Sequence, residues 1–345
     1  MPKKYRLLTV AMLALLVAPL FSVTVSAEEL APNDTCQQYT KSVQLSPSIP
    51  FLNFDLVGTL CYRGQLADQV VQVLIHGAGY NSYYWDFPQD PNTYSYVKDA
   101  IAKGYATFNV DRIGSGQSGK PDGFLVNVDN SAFTLHQLVG SLRDGSLTGH
   151  AFTTVAGVGH SFGSLIAVAQ ATQFQNDYDA IVLTGFLHNL GTGAGQAPQF
   201  AIPTQFDPQL ASYPANYFSL VPGARAILFY NTAFADPAII ARDEQERDAI
   251  ALGLLLDIGR HFSPESLAIT KPVFIILGEQ DFIYCGNGID CTDHAAVAAH
   301  ESAFFSPAAQ LEVQVVPNLG HDLVLHENGG KQSTKDVLQW IKKTL

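Results

Sequence analysis

Residues 159–163 read Gly-His-Ser-Phe-Gly, a G-x-S-x-G pentapeptide between a buried strand and a helix. Residues 153–158 (TTVAGV) predict the strand, and residues 165–173 (LIAVAQATQ) predict the helix. In this context a serine lies on a strained turn, with its hydroxyl above the edge of a sheet. The positive N-terminus of the helix favours a developing oxyanion there. The stretch therefore predicts an α/β fold in which Ser161 is a nucleophile.

Strands and helices alternate on both sides of this turn. Strands are predicted at 52–62, 70–75, 105–110, 180–184, 272–277 and 311–316, and helices at 94–103, 133–142 and 337–343. Strands with little polar alternation are buried on both faces, and intervening helices make a sheet mostly parallel. We therefore expect a doubly wound α/β sheet, whose ligands bind beyond the carboxyl ends of the strands.

One long segment interrupts this alternation. Residues 185–271 are too many for one crossover helix, contain helical stretches at 237–247 and 249–258, and are rich in Phe and Tyr. We interpret them as a helical cap inserted over the strand ends, with a surface segment that has its own small core as the alternative. The expected organisation is a signal peptide at 1–27, a core in two parts at 28–184 and 272–345, and the cap between them.

The N-terminus has the layout of a secretory signal. Lys3, Lys4 and Arg6 precede an apolar run at 7–21, and small residues precede the expected cleavage after Ala27. A retained membrane anchor is the alternative, but the run is shorter than the about 20 residues that a spanning helix needs. We expect a secreted or periplasmic protein with no membrane span in its mature chain.

The composition excludes several functional classes. Of the 345 residues, 47% are hydrophobic and 14% are charged, the reverse of a disordered chain. The 19 Lys and Arg residues are outnumbered by 31 Asp and Glu residues, which gives a net charge of −12. Nucleic-acid binding is therefore not expected.

Four cysteines fit an oxidising compartment. Proximity along the chain favours the disulfides Cys36–Cys61 and Cys285–Cys291. Free thiols or a metal site are the alternatives, but neither pair has the spacing of a zinc site. No metal is expected.

A serine nucleophile needs a base, and the base needs a carboxylate that orients it. Of the ten histidines, His321 lies in the loop after the last strand, at the edge where Ser161 is expected. His326 is its main competitor, whereas His160 is expected to point away on the turn. Asp281, after the strand 272–277, is the choice for the acid, with Glu279 as the alternative.

An acyl-transfer site also needs donors for the oxyanion. One is expected to be the backbone N–H of Phe162. The second is expected from the loop after the strand 70–75, where Ala78 is favoured over Gly77. His76 and Gly77 are expected to shape this loop.

With these motifs the chain resembles capped members of the α/β-hydrolase superfamily from about residue 52 onwards. The resemblance rests on His76-Gly77, the segment Asp111-Arg112-x-Gly114-x-Gly116-x-Ser118, the turn at 159–163, Asp281 and Gly320-His321. It implies an eight-stranded, mostly parallel sheet and a Ser-His-Asp hydrolase that needs no cofactor. Relatives that use Asp as the nucleophile are disfavoured by Ser161.

The expected function is hydrolysis of a small carboxylic ester with an apolar or aromatic substituent, through an acyl-enzyme. The expectation of an apolar substrate rests on the cap alone. Amide, peptide or lactone hydrolysis by the same residues is one alternative, and hydroxynitrile-lyase-like chemistry is another. A non-catalytic binding module is least favoured, because the triad is complete in the sequence.

Overall fold

The computed structural model describes residues 33–327 and 329–345, so the expected signal peptide lies outside the described residues. The described chain contains eleven strands: β1 (Asp34–Gln44), β2 (Asn53–Arg63), β3 (Val71–Ile75), β4 (Ala106–Asp111), β5 (Val155–His160), β6 (Ala180–Thr184), β7 (Ala201–Pro203), β8 (Tyr217–Leu220), β9 (Ile250–Ala251), β10 (Val273–Gly278) and β11 (Glu312–Val316). Eight of them form the main sheet, in the order β1-β2-β4-β3-β5-β6-β10-β11.

The described chain also has ten α-helices: α1 (Pro91–Tyr94), α2 (Tyr96–Ala102), α3 (Val128–Arg143), α4 (Phe162–Gln173), α5 (Thr192–Gln196), α6 (Ala224–Phe229), α7 (Pro237–Gln245), α8 (Leu252–Leu256), α9 (His294–Ser302) and α10 (Gly329–Thr344). Short 3₁₀ turns lie at Ser82–Tyr84, Gly123–Leu125, Ala197–Phe200, Thr204–Phe206, Ile258–Phe262, Pro264–Ala268, Pro307–Ala309 and Leu323–Leu325. None of the helices in the described residues is both long enough and apolar enough to cross a membrane.

The main sheet is mostly parallel, which confirms the predicted fold class. β1, β2 and β4 pair antiparallel, and every other pair of neighbouring strands is parallel. The five central strands, β3, β4, β5, β6 and β10, are buried along their whole length. In such a sheet the carboxyl ends of the parallel strands meet at one edge, so the loops after β3, β5, β10 and β11 gather there.

Helices cover both faces of the sheet. Along β3, Val73 and Ile75 pack into one apolar cluster with residues of α3 and α4. The intervening Leu74 packs into a second cluster with residues of α2 and α10. Successive side chains of a strand point to opposite faces, so a short apolar run contributes to two cores.

The first strand was not anticipated. β1 is the edge strand, and most of its side chains are exposed, so it lacks the apolar run that identifies the central strands. It pairs with β2 along eleven residues, and Cys36 lies directly opposite Cys61. These two cysteines form a disulfide, as do Cys285 and Cys291, which is the pairing favoured by proximity.

The helix predicted at 94–103 is divided in two. Ser95 is extended, with φ −98° and ψ 112°, and its hydroxyl accepts the N–H of Lys98 as the N-cap of α2. This favourable N-cap hydrogen bond explains why a second helix begins after Ser95.

Residues 185–271, which were expected to form a helical cap and are called the cap below, are not purely helical. They contain α5 to α8, but β7, β8 and β9 form a three-stranded antiparallel sheet within them. The prediction of a helix at 249–258 is wrong at its start, because residues 250 and 251 form β9 and α8 begins at Leu252. Strands of two to four residues are too short to leave a periodic pattern in a sequence.

Candidate active site

Ser161 lies on a strained turn between β5 and α4. Its φ is 54° and its ψ is −122°, a region that residues other than glycine rarely adopt. A Cβ atom on Gly159 would lie 2.6 Å from the carbonyl oxygen of Gly163, and one on Gly163 would overlap the carbonyl oxygen of Ile75. Both glycines are therefore required by packing. Ser161 is 8% exposed at the carboxyl edge of the sheet.

His321 and Asp281 form a buried hydrogen bond at the same edge. Nδ1 of His321 lies 2.9 Å from Oδ2 of Asp281. The second oxygen, Oδ1, accepts the N–H groups of Ile283 and Tyr284 at 3.0 and 3.1 Å. Burial alone would lower the pKa of His321, but the charge of Asp281, the hydrogen bond to it and the charge of Asp322 raise that pKa above its ordinary value. The arrangement gives His321 the environment of a base.

The alternative acid and the competing base lie elsewhere. Glu279 contacts His294 at 3.7 Å and accepts the N–H of Asn318 at 3.4 Å. His326 uses Nε2 to accept the N–H groups of Gly320 and Asn231, at 3.0 and 3.1 Å. Burial lowers the pKa of His326 to about 4, so it is neutral and holds the loop that carries His321.

The loop after β3 lies against the serine. A Cβ atom on Gly77 would lie 3.0 Å from Cβ of Ser161. The guanidinium of Arg112 donates to the carbonyl oxygens of His76 and Gly77, at 2.8 and 2.9 Å. Since a trans peptide places N–H and C=O on opposite sides, the N–H groups of Gly77 and Ala78 point away from Arg112.

His76 shapes this loop without being charged. Burial, followed by the charge of Arg112, lowers its pKa well below the ordinary value. Nδ1 therefore donates to the carbonyl oxygen of Gly77, at 2.9 Å, and Nε2 accepts the N–H of Arg112, at 3.1 Å. On the other side of the serine, the N–H of Phe162, the first residue of α4, has no partner within its helix.

His160 contacts the candidate base rather than standing apart from the site. Its ring centroid is 4.7 Å from that of His321, and its ring stacks on Tyr84 at 4.1 Å. Its Nδ1 lies 3.1 Å from the hydroxyl of Thr184, and its Nε2 lies 3.2 Å from Oδ1 of Asp322. Burial and the neighbouring His321 lower the pKa of His160 well below its ordinary value.

A buried polar network that was not predicted from the sequence lies behind His321. It joins the core to the cap and consists of Tyr80, His160, Arg225, Asp243 and Asp322. Arg225 donates to both carboxylate oxygens of Asp243 at 2.9 Å, and the hydroxyl of Tyr80 contacts both Asp243 and Asp322. The only sequence signal was that Asp322 directly follows His321.

A tyrosine and a histidine near the serine were missed as well. Nε2 of His261, in the cap, lies 2.9 Å from the hydroxyl of Tyr284. Burial lowers the pKa of His261 to about 4, and its Nδ1 donates to the carbonyl oxygen of Ile258, so the hydroxyl of Tyr284 donates to His261. Burial raises the pKa of Tyr284 well above its ordinary value, while Ser161, as a hydrogen-bonding neighbour, lowers it.

The loop that carries Asp281 is fastened on its far side. The side-chain amide of Asn189 donates to the carbonyl oxygens of Tyr284 and Gly286, each at 3.0 Å. The disulfide between Cys285 and Cys291 starts at the residue after Tyr284. These contacts restrain the segment from which Asp281 and Tyr284 project.

Comparisons with known proteins agree with this architecture. None of the curated proteins matches the chain in sequence. A solved thermophilic esterase from Thermogutta terrifontis, with malate bound, is 15% identical with a TM-score of 0.61, over 88% of this chain and 98% of that chain. An esterase from Exiguobacterium antarcticum is 15% identical with a TM-score of 0.57, over 84% and 96%. A monoacylglycerol lipase from Paleococcus ferrophilus is 15% identical with a TM-score of 0.55, over 80% and 95%.

Identities of this size establish a shared fold. The family assignment comes from the sequence itself, because residues 72–332 match the model of the family described as the alpha/beta hydrolase family. The expected enzyme class, hydrolase, is thereby confirmed. Since the match spans most of the chain, the protein belongs to the alpha/beta hydrolase family.

Proposed function

We propose that the protein is a secreted serine hydrolase that cleaves small carboxylic esters with an apolar or aromatic substituent. Ser161 is the nucleophile, His321 the general base and Asp281 the acid that orients it. The observation that carries the proposal is the buried hydrogen bond of 2.9 Å between His321 and Asp281, at the sheet edge where Ser161 occupies its strained turn.

The reaction proceeds in two acyl-transfer steps. Ser161 attacks the ester carbonyl while Nε2 of His321 takes its proton, and Asp281 stabilises the imidazolium. The N–H groups of Phe162 and Ala78 bind the oxyanion, each contributing roughly 3–4 kcal/mol to the transition state. His321 then protonates the departing alcohol, and a water molecule activated by His321 releases the acid.

The surface of the cap supports an apolar substrate. Ten large apolar side chains are exposed in the described chain, and six of them lie in the cap: Phe206, Ile227, Phe234, Leu256, Phe262 and Leu267. Exposed apolar side chains favour contact with apolar molecules, such as an apolar ester. The two disulfides support export to an oxidising compartment, although the expected signal peptide lies outside the described residues.

Hydrolysis of p-nitrophenyl esters of rising acyl length tests this function. The wild type is expected to turn over, and Ser161→Ala is expected to be inactive while remaining folded. Ser302→Ala, which removes an exposed hydroxyl on α9, is the matched control and should retain full activity. Turnover that survives in Ser161→Ala would refute the assignment, and a folded wild type inactive at every length would refute the ester substrate.

A further inference from the structure

We propose that Asp322 is a positioning residue for His321. It is a second carboxyl group beside His321, and it links this base to the cap. The inference rests on the proposed function, because it assumes that His321 is the general base. Asp322 is completely buried and directly follows His321 in the chain. The nearest ligand atoms of His160, His321 and Asp322 all lie within 4.8 Å of one another.

A chain of buried polar contacts leads from the cap to Asp322. Arg225 of α6 and Asp243 of α7 form a fully buried ion pair with two hydrogen bonds of 2.9 Å. The hydroxyl of Tyr80 lies 3.2 Å from Oδ2 of Asp243 and forms a short contact with Oδ2 of Asp322. One hydroxyl of the core therefore connects the ion pair of the cap to the residue beside the base.

Asp243 and Asp322 compete for one hydrogen-bond donor. The hydroxyl of Tyr80 carries one hydrogen and faces two carboxyl groups. Both oxygens of Asp243 accept hydrogen bonds from the guanidinium of Arg225. The hydroxyl donates to Oδ2 of Asp322, and Nε2–H of His160 donates to Oδ1 of Asp322, so the hydrogen of Tyr80 cannot serve Asp243 at the same time. Two ionised carboxylates sharing one donor in a buried site would be unfavourable.

Electrostatics of the surrounding groups agree with this competition. Burial and then the charge of Asp243 raise the pKa of Asp322 to about 7, against the charges of His321 and Arg225 and the hydrogen bond from Tyr80, which lower it. The neighbouring His160 is neutral. Other titratable groups around this network and His321 are His76, Tyr84, Tyr230, Asp281, Tyr284 and His326.

The charge of Asp322 acts on the base His321. Ionised Asp322 raises the pKa of His321, so His321 holds its proton more tightly. When Asp322 is protonated this effect is absent, so His321 loses its proton at a lower pH than it does beside ionised Asp322. The cap also holds the neighbouring backbone, because the N–H of Asp322 donates to the carbonyl oxygen of Phe229 at 3.1 Å. A displaced cap would take both the ion pair and this anchor away from the base.

The experiment measures the rate at which a fluorophosphonate labels Ser161 as a function of pH. This rate depends on neutral His321 and needs no knowledge of the natural substrate. In Asp322→Asn the acid limb of the profile should move to lower pH by about one unit, because the charge that raises the pKa of His321 is gone. In Tyr80→Phe it should move in the same direction by less, because loss of the hydroxyl keeps Asp322 protonated to a higher pH.

Controls separate a positioning role from a structural one. Tyr105→Phe removes a buried hydroxyl that donates to the carbonyl oxygen of Leu338, and it should leave the acid limb unchanged. The double variant Tyr80→Phe/Asp322→Asn should shift no further than Asp322→Asn alone, since Tyr80 acts through Asp322.

If Asp322→Asn and Tyr80→Phe are folded and the acid limb of their labelling profile is not shifted, the inference is overturned. If Asp322→Asn does not fold, the acid limb of Tyr80→Phe decides alone. A folded wild type that the probe does not label at Ser161 would instead contradict the proposed function, and the two failures are thereby distinguished.

Discussion

The guanidinium of Arg225, in the cap, donates a hydrogen bond of 3.0 Å to the carbonyl oxygen of Gly79, in the loop after β3. Gly79 follows Ala78, the proposed oxyanion donor, so one cap side chain restrains the loop that faces Ser161. The same guanidinium is paired with Asp243 and lies 4.0 Å from the ring centroid of Tyr80. The cap is thus fastened through buried charge to the edge of the core where Ser161 lies.

Removing Arg225 should be costly. Arg225→Met leaves the carboxylate of Asp243 buried without a counter-charge, and we expect a loss of about 3–5 kcal/mol in the free energy of unfolding. The double variant Arg225→Met/Asp243→Asn should recover part of that loss, because no uncompensated charge remains. Urea denaturation measures both. A double variant less stable than Arg225→Met would contradict this account of the pair.

Asp281 and Glu279 give a matched pair for identifying the acid. In Asp281→Asn the wrong tautomer of His321 is favoured, so kcat should fall by about 10⁴-fold with the fold retained. Glu279→Gln should keep its activity, since Glu279 contacts His294 and the backbone of Asn318. Steady-state kinetics on one ester decide the matter, and the reverse pattern would transfer the role to Glu279.

The two disulfides should differ in what they support. Replacing Cys36 and Cys61 by Ser opens a loop with a sequence separation of 25 residues and should cost about 3 kcal/mol of stability at unchanged kcat. Replacing Cys285 and Cys291 by Ser opens a separation of 6 residues and should cost less, about 2 kcal/mol, but should lower kcat, because that loop carries Asp281. Equal kcat in both variants would show that the second disulfide does not serve the acid loop.

The pH dependence of stability should report Asp322. Its pKa in the folded protein is about 7, well above the ordinary value, so the folded state binds more protons than the unfolded state between about pH 4 and 7. Its contribution to stability is therefore greatest at low pH and is lost as the pH rises through this window. The difference in unfolding free energy between wild type and Asp322→Asn should change with pH over that range, and a constant difference would show that Asp322 is ionised throughout.

The fold was predictable because its signals are local. Buried central strands appear as apolar runs, and the glycines on both sides of Ser161 mark a turn that packing requires. Strands β1 and β7 to β9 were missed because one is an exposed edge and the others are too short to show a period.

Much of the site depends on contacts that no local pattern shows. Tyr80 meets Asp243 and Asp322 across separations of 163 and 242 residues. A single polar residue in a loop has many possible partners, so its role becomes visible only when the loops are brought together. Asp281 and His321 could be selected because each lies in the loop after a strand whose end the sheet places at a common edge.

Covalent labelling of Ser161 tests the central claim most directly. The folded wild type is incubated with a fluorophosphonate, and the modified residue is located by peptide mass spectrometry. The account predicts one adduct, on Ser161, that forms at least a hundredfold more slowly in Asp281→Asn because His321 has lost its orienting partner. An adduct on another residue, or an equal rate in Asp281→Asn, would contradict a nucleophile activated by His321 and Asp281.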